Sequence, residues 1–300
     1  MTLCICIFSY NRGNYLKNCI ASVESCAPES KIVIFDDGSD DPDTLKTLAE
    51  IGKKHAVVQP GHASSHHLGG LYGNMQSALD FCKEEEILCF LQDDTQLVRG
   101  VTAEDMEVLT GAFDRNPHLG FLHPCFIKAI NLKQGASFSY DPSLNLYFHD
   151  PTKRSAGRYF SALLITKPSR LLAAGWRFAA SEPANSRLAQ KYFLPMGYLF
   201  APFAMWLPEV PAYRGKKKTF ALRLAEKKRR CGYYPYRIMD PAEVKRLKER
   251  SPSVLPVAEA FLACDGKEPS RPWAYNPLTG LRWLKLLNQL EVSLRRLFKP

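Results

Sequence analysis

The segment Ile87-Leu88-Cys89-Phe90-Leu91-Gln92-Asp93-Asp94 decides the fold that we predict for this chain. Its first five residues form an uninterrupted apolar run, which is typical of a strand buried on both faces of a parallel sheet. Two adjacent carboxylates follow where this strand ends. Because like charges at a buried strand end are unfavourable unless something neutralises them, the segment predicts a functional site as well as a strand.

The residues before this segment repeat the same arrangement. Leu3-Cys4-Ile5-Cys6-Ile7-Phe8 and Lys31-Ile32-Val33-Ile34-Phe35 are short buried-strand patterns, and each leads into a polar loop. Apolar residues at helical spacing follow over residues 15–23, and a second helix candidate covers 43–54. Alternating strands and helices of this kind predict an α/β fold, a mostly parallel sheet flanked by helices.

Carboxylates follow two of these strands. Asp36-Asp37-Gly38-Ser39 and Asp93-Asp94 both stand at strand carboxyl ends, where ligands bind in open α/β sheets. Oxygen ligands favour Mg²⁺ or Mn²⁺, which engage one or two protein carboxylates and complete their shell with phosphate and water. A turn that caps the next helix is the open alternative for Asp36-Asp37-Gly38-Ser39.

Three motifs in this order resemble the family 2 glycosyltransferases of the GT-A fold. They are Phe8-Ser9-Tyr10-Asn11-Arg12, Asp36-Asp37-Gly38-Ser39 and Leu91-Gln92-Asp93-Asp94. The resemblance covers residues 1–125 well and 160–215 loosely. It implies a GT-A-like fold and a nucleotide-sugar donor, with a UDP-sugar expected.

The resemblance also implies a role for individual residues of the donor site. Asp37 would accept a hydrogen bond from uracil and Asp36 would support the turn, whereas Asp93 would lie near the ribose. Asp94 would coordinate the Mg²⁺ or Mn²⁺ that bridges the diphosphate. The loop before the first helix would line the nucleotide pocket through Ser9, Tyr10, Asn11 and Arg12.

Two further donor-site positions depart from the family pattern. Asn74 matches the residue that begins a helix after a Gly-rich segment, but Gly73 stands where an arginine often precedes it. Many relatives also carry a metal-ligand histidine where this chain has Tyr213-Arg214-Gly215. Arg214, or the lysines that follow it, would bind the diphosphate instead.

Glu182 is the candidate catalytic base. It follows Ala174-Gly175-Trp176-Arg177-Phe178, which resembles the family's turn before its catalytic carboxylate, although Pro183 replaces the expected Asp. An inverting transferase needs one carboxylate to take the proton of the acceptor hydroxyl. Glu182 is the only acidic residue between 151 and 208. A solvated glutamate at the start of a helix is the alternative.

Charge and pattern divide the chain into unlike parts. Residues 1–150 carry a net charge of −9 and residues 151–300 a net charge of +19. We expect a GT-A-like domain over 1–215, with a nucleotide-sugar half at 1–100 and an acceptor half at 101–215. A basic helical extension would occupy 216–300. An acidic part can hold a cation, and a basic part can face an anionic partner.

The last segment predicts an amphipathic helix. Its apolar stripe is widened by Trp283, Leu286 and Phe298 and consists of Leu281, Leu284, Leu287, Leu290, Leu294 and Leu297. With a cationic opposite face, such a helix suits the surface of an anionic membrane. Packing on the catalytic domain and a dimer contact are the alternatives. A membrane surface would fit a glycan or lipid-linked acceptor, such as a cell-surface polysaccharide.

The expected cellular location is the cytoplasm or the inner face of the membrane. The nine cysteines include no CxxC pair, and most lie in apolar runs, which indicates a reducing compartment. The sequence shows neither a basic leader nor an uninterrupted apolar stretch of the roughly 18 residues that a membrane-spanning helix needs.

The sequence therefore favours a metal-dependent, inverting hexosyltransferase. A non-catalytic nucleotide-sugar or glycan-binding module is the first alternative. A nucleotidyltransferase ranks lower, because the loop after the first strand is poor in glycine. A polyanion-binding protein would explain only the basic half, and we expect no nucleic-acid partner because no recognised binding motif is present.

Overall fold

The computed structural model describes residues 2–59, 70–150, 152, 157–212 and 218–297. Arg214 lies outside the described residues, and so do Leu68 and Gly69 of the Gly-rich segment before Asn74.

Strands occur throughout the first two thirds of the chain. In the described residues they are β1 (Leu3–Ser9), β2 (Lys31–Asp36), β3 (Ala56–Val58), β4 (Ile87–Gln92), β5 (Thr95–Leu97), β6 (Leu122–His123), β7 (Phe138–Asp141), β8 (Leu146–His149), β9 (Leu164–Thr166), β10 (Gly197–Leu199) and β11 (Ala204–Trp206).

Helices alternate with the first strands and dominate the last third. In the described residues they are α1 (Gly13–Cys26), α2 (Pro42–Ile51), α3 (Leu71–Phe81), α4 (Ala103–Arg115), α5 (Ala129–Lys133), α6 (Pro168–Ala173), α7 (Glu182–Tyr192), α8 (Phe220–Arg229), α9 (Pro241–Glu249), α10 (Ala258–Phe261) and α11 (Arg282–Leu297).

A nine-stranded sheet forms the centre of the described fold, in the order β3-β2-β1-β4-β9-β6-β10-β8-β7. The first four strands are mutually parallel, and only β9 and β8 run against the other seven. The predicted α/β fold with a mostly parallel sheet flanked by helices is confirmed. The hairpin of β7 and β8 and the end of the short α5 lie in residues 131–158, where the sequence showed no clear period.

The sheet is buried on both faces, which explains the continuous apolar runs. On β1, Ile5 and Ile7 join one hydrophobic cluster with Leu16 of α1, whereas Cys4 and Phe8 join a second cluster on the other face. Successive side chains of a strand point to opposite faces, so a strand covered on both sides needs apolar residues at every position.

Much of the basic extension packs into the same core. Tyr236, Leu247, Ala258 and Trp273 are buried within the cluster that holds β1 and α1. Helices α8 and α11 form a small cluster of their own around Leu284. The division at residue 215 stays a prediction, but residues 236–273 are structurally continuous with the sheet.

The last helix, α11, is fixed to α8 by polar contacts. The Glu291 carboxylate accepts hydrogen bonds from the backbone N–H groups of Phe220 and Ala221, at 2.7 and 2.8 Å. Unpaired N–H groups at a helix start favour such an anion. No helix among the described residues is long and apolar enough to cross a membrane.

Candidate active site

Three parallel strands end at one level, and this brings the predicted carboxylates together. In the register of the sheet Ser9 pairs with Asp36, and Phe8 pairs with Gln92. Beyond the ladder, the N–H groups of Asp37 and Asp93 donate to the Ser9 and Phe8 carbonyls, each at 3.0 Å. The ends of β2 and β4 are therefore both fixed to β1.

Asp36 is fully buried and holds its own turn. Its two carboxylate oxygens accept hydrogen bonds from the Ser39 N–H at 2.7 Å and the Ser39 hydroxyl at 2.6 Å. The buried negative charge is thus satisfied locally, as a buried polar group requires. This leaves Asp37 as the carboxylate of the pair that faces outward.

Asn11 links the loop after β1 to the loop after β2 by hydrogen bonds. Its backbone is left-handed, with φ at 51°, a conformation that Asn tolerates better than most residues. Its side-chain oxygen accepts from the N–H groups of Asp40 and Asp41 at 2.8 and 2.9 Å. Its own N–H donates to the Ser39 hydroxyl at 2.9 Å.

Asp37 lies beside the start of α3. Its Oδ1 accepts a 2.8 Å hydrogen bond from the Gly70 N–H, and partial burial raises the pKa of the Asp37 carboxyl. Gly70 has a positive φ of 84°, which suits glycine at this close approach. Asn74 is buried in the first turn of α3, four residues further along.

Arg12 neutralises the carboxylates that follow β4. Its guanidinium lies 2.6 Å from Asp94 Oδ2 and 3.4 Å from Asp93 Oδ1. Asp93 also accepts a 3.2 Å hydrogen bond from the Tyr10 N–H. Burial raises the pKa of Asp93, Arg12 opposes that shift, and the charge of Asp94 adds to it.

The oxygen atoms at this edge of the sheet are suitable ligands for a hard divalent cation. Asp94 Oδ1 is buried and has no hydrogen-bond partner among the described residues, although Oδ2 of the same carboxylate is bound by Arg12. A buried carboxylate oxygen without a partner is costly unless a ligand satisfies it. Oxygen ligands match Mg²⁺ or Mn²⁺, which bind few protein carboxylates and several phosphate or water oxygens. Ser9 Oγ, at the end of β1, is likewise buried and finds no partner in the part of the chain that the structure describes.

A two-stranded sheet brings a remote segment against Asp94. Strand β11 pairs with β5, directly after the Asp93-Asp94 turn, and the Leu207 N–H donates to the Asp94 carbonyl at 2.8 Å. This pairing places Trp206 at the wall of a cavity of about 340 Å³. No local feature of the sequence could have shown that the segment around β11 lies against Asp94.

Asp94 and Glu182 line this one cavity, together with Lys128, His123 and Tyr198. His123 is buried and stacks on the Tyr198 ring at a centroid distance of 4.7 Å. The sequence singled out Glu182 and Asp94 but gave no reason to choose Lys128 or Tyr198. Both lie in stretches without clear periodicity, and only the assembled fold places them here.

Glu182 begins α7 after the capping residue Ser181. The residue as a whole is exposed, yet it lies on the cavity wall, where partial desolvation raises the pKa of its carboxyl. The positive charge of Lys128 acts in the opposite direction. Glu182 and Lys128 line the same cavity and do not form an ion pair with each other.

A family model matches the first part of the chain. The model of Glycosyl transferase family 2 matches residues 4–137. The matched range contains every residue from Ser9 to Asp94 that the sequence predicts for a donor site and also Lys128, whereas Glu182 and Arg214 lie beyond it.

Solved structures of glycosyltransferases are similar in parts. The structure of S. aureus TarS 1-349 matches at 16% identity and a TM-score of 0.47, covering 68% of this chain and 60% of that one. The mannosyltransferase PcManGT from Pyrobaculum calidifontis, in complex with GDP-Man and Mn²⁺, matches at 12% identity and a TM-score of 0.42, covering 86% and 68%. Glucosyl-3-phosphoglycerate synthase from Mycobacterium tuberculosis, in complex with Mn²⁺ and UDP-glucose, matches at 14% and 0.41, covering 78% and 83%. No curated protein matches the sequence.

Proposed function

We propose that this chain is an inverting hexosyltransferase that moves a sugar from a nucleotide sugar, a UDP-sugar in the first instance, to a glycan or lipid-linked acceptor. One observation carries the proposal. Asp94 and Glu182 lie far apart in sequence, yet they line the same cavity. Asp94 would hold the cation at the leaving diphosphate, and Glu182 would take the proton of the attacking hydroxyl.

The donor would bind along the ends of β1, β2 and β4. Ser9, Tyr10 and Asn11 lie in the first loop there, Asp37 would accept from uracil, and Asp93 would lie near the ribose. Asp94 would hold Mg²⁺ or Mn²⁺, which when bound supplies positive charge to the leaving diphosphate. Arg12 neutralises the carboxylate pair and leaves Asp94 Oδ1 for the cation. Asn74, and Arg214 outside the described residues, complete the proposed donor contacts.

Glu182 would act as general base. Its carboxylate would take the proton of the acceptor hydroxyl as that oxygen attacks the anomeric carbon, and the nucleoside diphosphate would leave from the opposite face. A pKa raised by partial burial moves a carboxyl toward the range in which a general base works well near neutral pH. Attack opposite to the leaving group inverts the anomeric configuration.

The donor site is tested by isothermal titration of the full chain with UDP, with and without Mn²⁺. We expect binding that Mn²⁺ strengthens, and we expect Asp94→Asn to lose the effect of Mn²⁺. Asp265→Asn, which changes an exposed carboxylate whose side chain has no described partner, is the matched control. UDP binding that does not change with Mn²⁺ or with Asp94→Asn would contradict the metal assignment. If UDP does not bind, GDP is titrated before the glycosyltransferase proposal is rejected.

A non-catalytic sugar-nucleotide-binding module is the second candidate. It is favoured by the exposure of Glu182 and by Pro183 in place of the family's Asp. Measurement of UDP release from UDP-sugars separates the two. Release that depends on Glu182 supports the enzyme, whereas UDP-sugar binding without any release supports the module.

We also propose that α11 attaches the protein to the inner, cytoplasmic face of an anionic membrane. Its predicted stripe divides in the structure: Leu284 packs on α8, whereas Trp283, Leu286, Leu290 and Leu294 are each more than half exposed. An apolar face of this kind beside basic residues suits the headgroup region of an anionic bilayer.

The attachment is tested by sedimentation with phosphatidylglycerol vesicles and with neutral phosphatidylcholine vesicles. Trp283→Ser combined with Leu290→Ser should abolish binding to the anionic vesicles. Leu172→Ser, at an exposed leucine of α6, is the control. Equal binding by all three proteins, or no preference for anionic vesicles, would refute the proposal.

A further inference from the structure

Lys128 is a cation held at the cavity wall by aromatic rings. It precedes α5, and its ammonium lies 3.5 Å from the centroid of the Trp206 ring and 4.7 Å from that of Tyr275. Within the described part of the chain, no carboxylate lies within ion-pair distance of this ammonium, and no side chain or carbonyl accepts a hydrogen bond from it. Ring faces fix the position of the charge and leave its N–H donors for a ligand.

The surrounding acidic groups do not neutralise this ammonium directly. Asp94 and Glu182 line the same cavity, and the Glu259 carboxylate accepts hydrogen bonds from the N–H groups of Ala129 and Trp273, each at 3.1 Å. Burial lowers the pKa of Lys128 to about 8, against the opposing effect of these carboxylates, so the ammonium stays mostly protonated at neutral pH. A desolvated charge without a partner is unfavourable, and an anionic ligand would relieve that cost.

A second cavity begins at the same residue. Lys128, Asn131 and Tyr275 line both the active-site cavity and a neighbouring one of about 460 Å³. Arg282 and Lys285, from the start of α11, also line the second cavity. Its described lining contains no acidic residue. A continuous surface with three cations therefore leads from the proposed catalytic base toward α11.

We propose that Lys128 binds an anionic group of the acceptor, a phosphate or a carboxylate close to the hydroxyl that is glycosylated, and that Arg282 and Lys285 bind further charge along the same acceptor. The inference rests on the proposed function and specifies its substrate class. Lys128 belongs to the acceptor side because it follows β6, whereas the proposed donor contacts follow β1, β2 and β4. A lysine engages phosphate and carboxylate alike as a point charge.

The experiment titrates the full chain, saturated with UDP and Mn²⁺, with small charged and neutral probes. Glycerol 1-phosphate is compared with glycerol, and glucuronate with glucose. We expect at least one charged probe to bind more tightly than its neutral partner. Lys128→Gln should weaken that binding by roughly tenfold or more, as loss of a charge-assisted contact predicts. Lys128→Arg should retain most of it, and Lys285→Gln should have a smaller effect.

Matched controls separate a binding role from a folding role. Lys245→Gln removes an exposed charge of α9 whose only described ion pair is with Glu249, and it should leave probe binding unchanged. Thermal melting of each variant reports whether the fold survives. If Lys128→Gln melts early, Lys128→Met carries the test, since it removes the charge and keeps an unbranched side chain of similar length; its charged-probe binding should fall as that of Lys128→Gln should.

The outcomes are distinct. The phosphate probe alone responding to Lys128 identifies a phosphate-bearing acceptor, and the glucuronate probe alone a carboxylate-bearing one. Charged probes that bind no better than neutral ones, or that ignore Lys128→Gln, overturn the inference while UDP binding still supports the proposed function. Loss of UDP affinity in Lys128→Gln would assign the lysine to the donor and also overturn it. If wild-type protein binds no nucleotide but binds a charged probe through Lys128, the anion site stands and the proposed glycosyltransferase fails.

Discussion

The proposed donor edge, at the ends of β1, β2 and β4, and the proposed acceptor cavity, lined by Asp94, Glu182 and Lys128, are built in different ways. At this edge, Asp36 and Asp93 stand at the ends of parallel strands, and their carboxylates accept hydrogen bonds from the main chain of nearby loop residues, Ser39 and Tyr10. At the cavity, Lys128, Glu182 and Trp206 come from three separate segments and meet only through tertiary packing. A site made by neighbouring strand ends can be read locally, whereas a site made by packing depends on segments that are distant in sequence.

The largest expected effect is on the chemical step. Glu182→Gln keeps the side-chain shape and removes the base, so UDP release from a UDP-sugar should fall by about 10² to 10⁴. UDP affinity should not change, because Glu182 lies outside the donor edge. Steady-state rates and titrations on the same preparations check both expectations. A variant with unchanged turnover would assign the base to another residue.

Removal of the Trp273 side chain tests whether the basic extension is part of the core. Trp273 is fully buried in the cluster that contains β1, so Trp273→Ala should lower the free energy of unfolding by about 3–5 kcal/mol. Denaturant unfolding measures the change, and Trp283→Ala, at an exposed tryptophan, should have little effect. Similar stability for the two variants would favour an extension that folds apart from the sheet.

Two variants of Asn11 separate the cost of backbone strain from the cost of lost hydrogen bonds at the proposed donor edge. Asn11→Ala loses the side-chain bonds to Asp40 and Asp41 and strains a positive φ, and should cost about 1–3 kcal/mol of stability. Asn11→Gly loses the same bonds without the strain, and should be the more stable of the two. Chemical unfolding of both variants measures the difference. Equal stabilities would show that the left-handed conformation relaxes at little cost.

The smallest effect should appear in the pH profile. Glu182 accepts a proton only when ionised, so activity should fall as the pH drops through its pKa, which partial burial raises. Lys128 lowers that pKa, so Lys128→Gln should move the acid limb of donor hydrolysis to higher pH. The phenols of Tyr72 and Tyr198, which also interact electrostatically with Glu182, stay neutral in this range. If the acid limb does not move, the charge of Lys128 has no effect on the pKa of the proposed base.

The sequence by itself determined the parallel α/β half and its donor edge. Continuous apolar runs in β1, β2 and β4 follow from burial on both sheet faces, and Asp36, Asp37, Asp93 and Asp94 stand directly after them. Position along the chain is enough there, because parallel strands deliver their carboxyl ends to one edge.

Only the tertiary structure decided the acceptor side. The pairing of β11 with β5 brings Trp206 beside Asp94, and the contact between Lys128 and Tyr275 spans nearly half of the chain. The same holds for α11, whose single leucine stripe divides into a face packed on α8 and an exposed face once Glu291 binds the start of α8. Periodicity reports which residues are apolar, but contacts between distant segments decide which of them are covered and which charges meet.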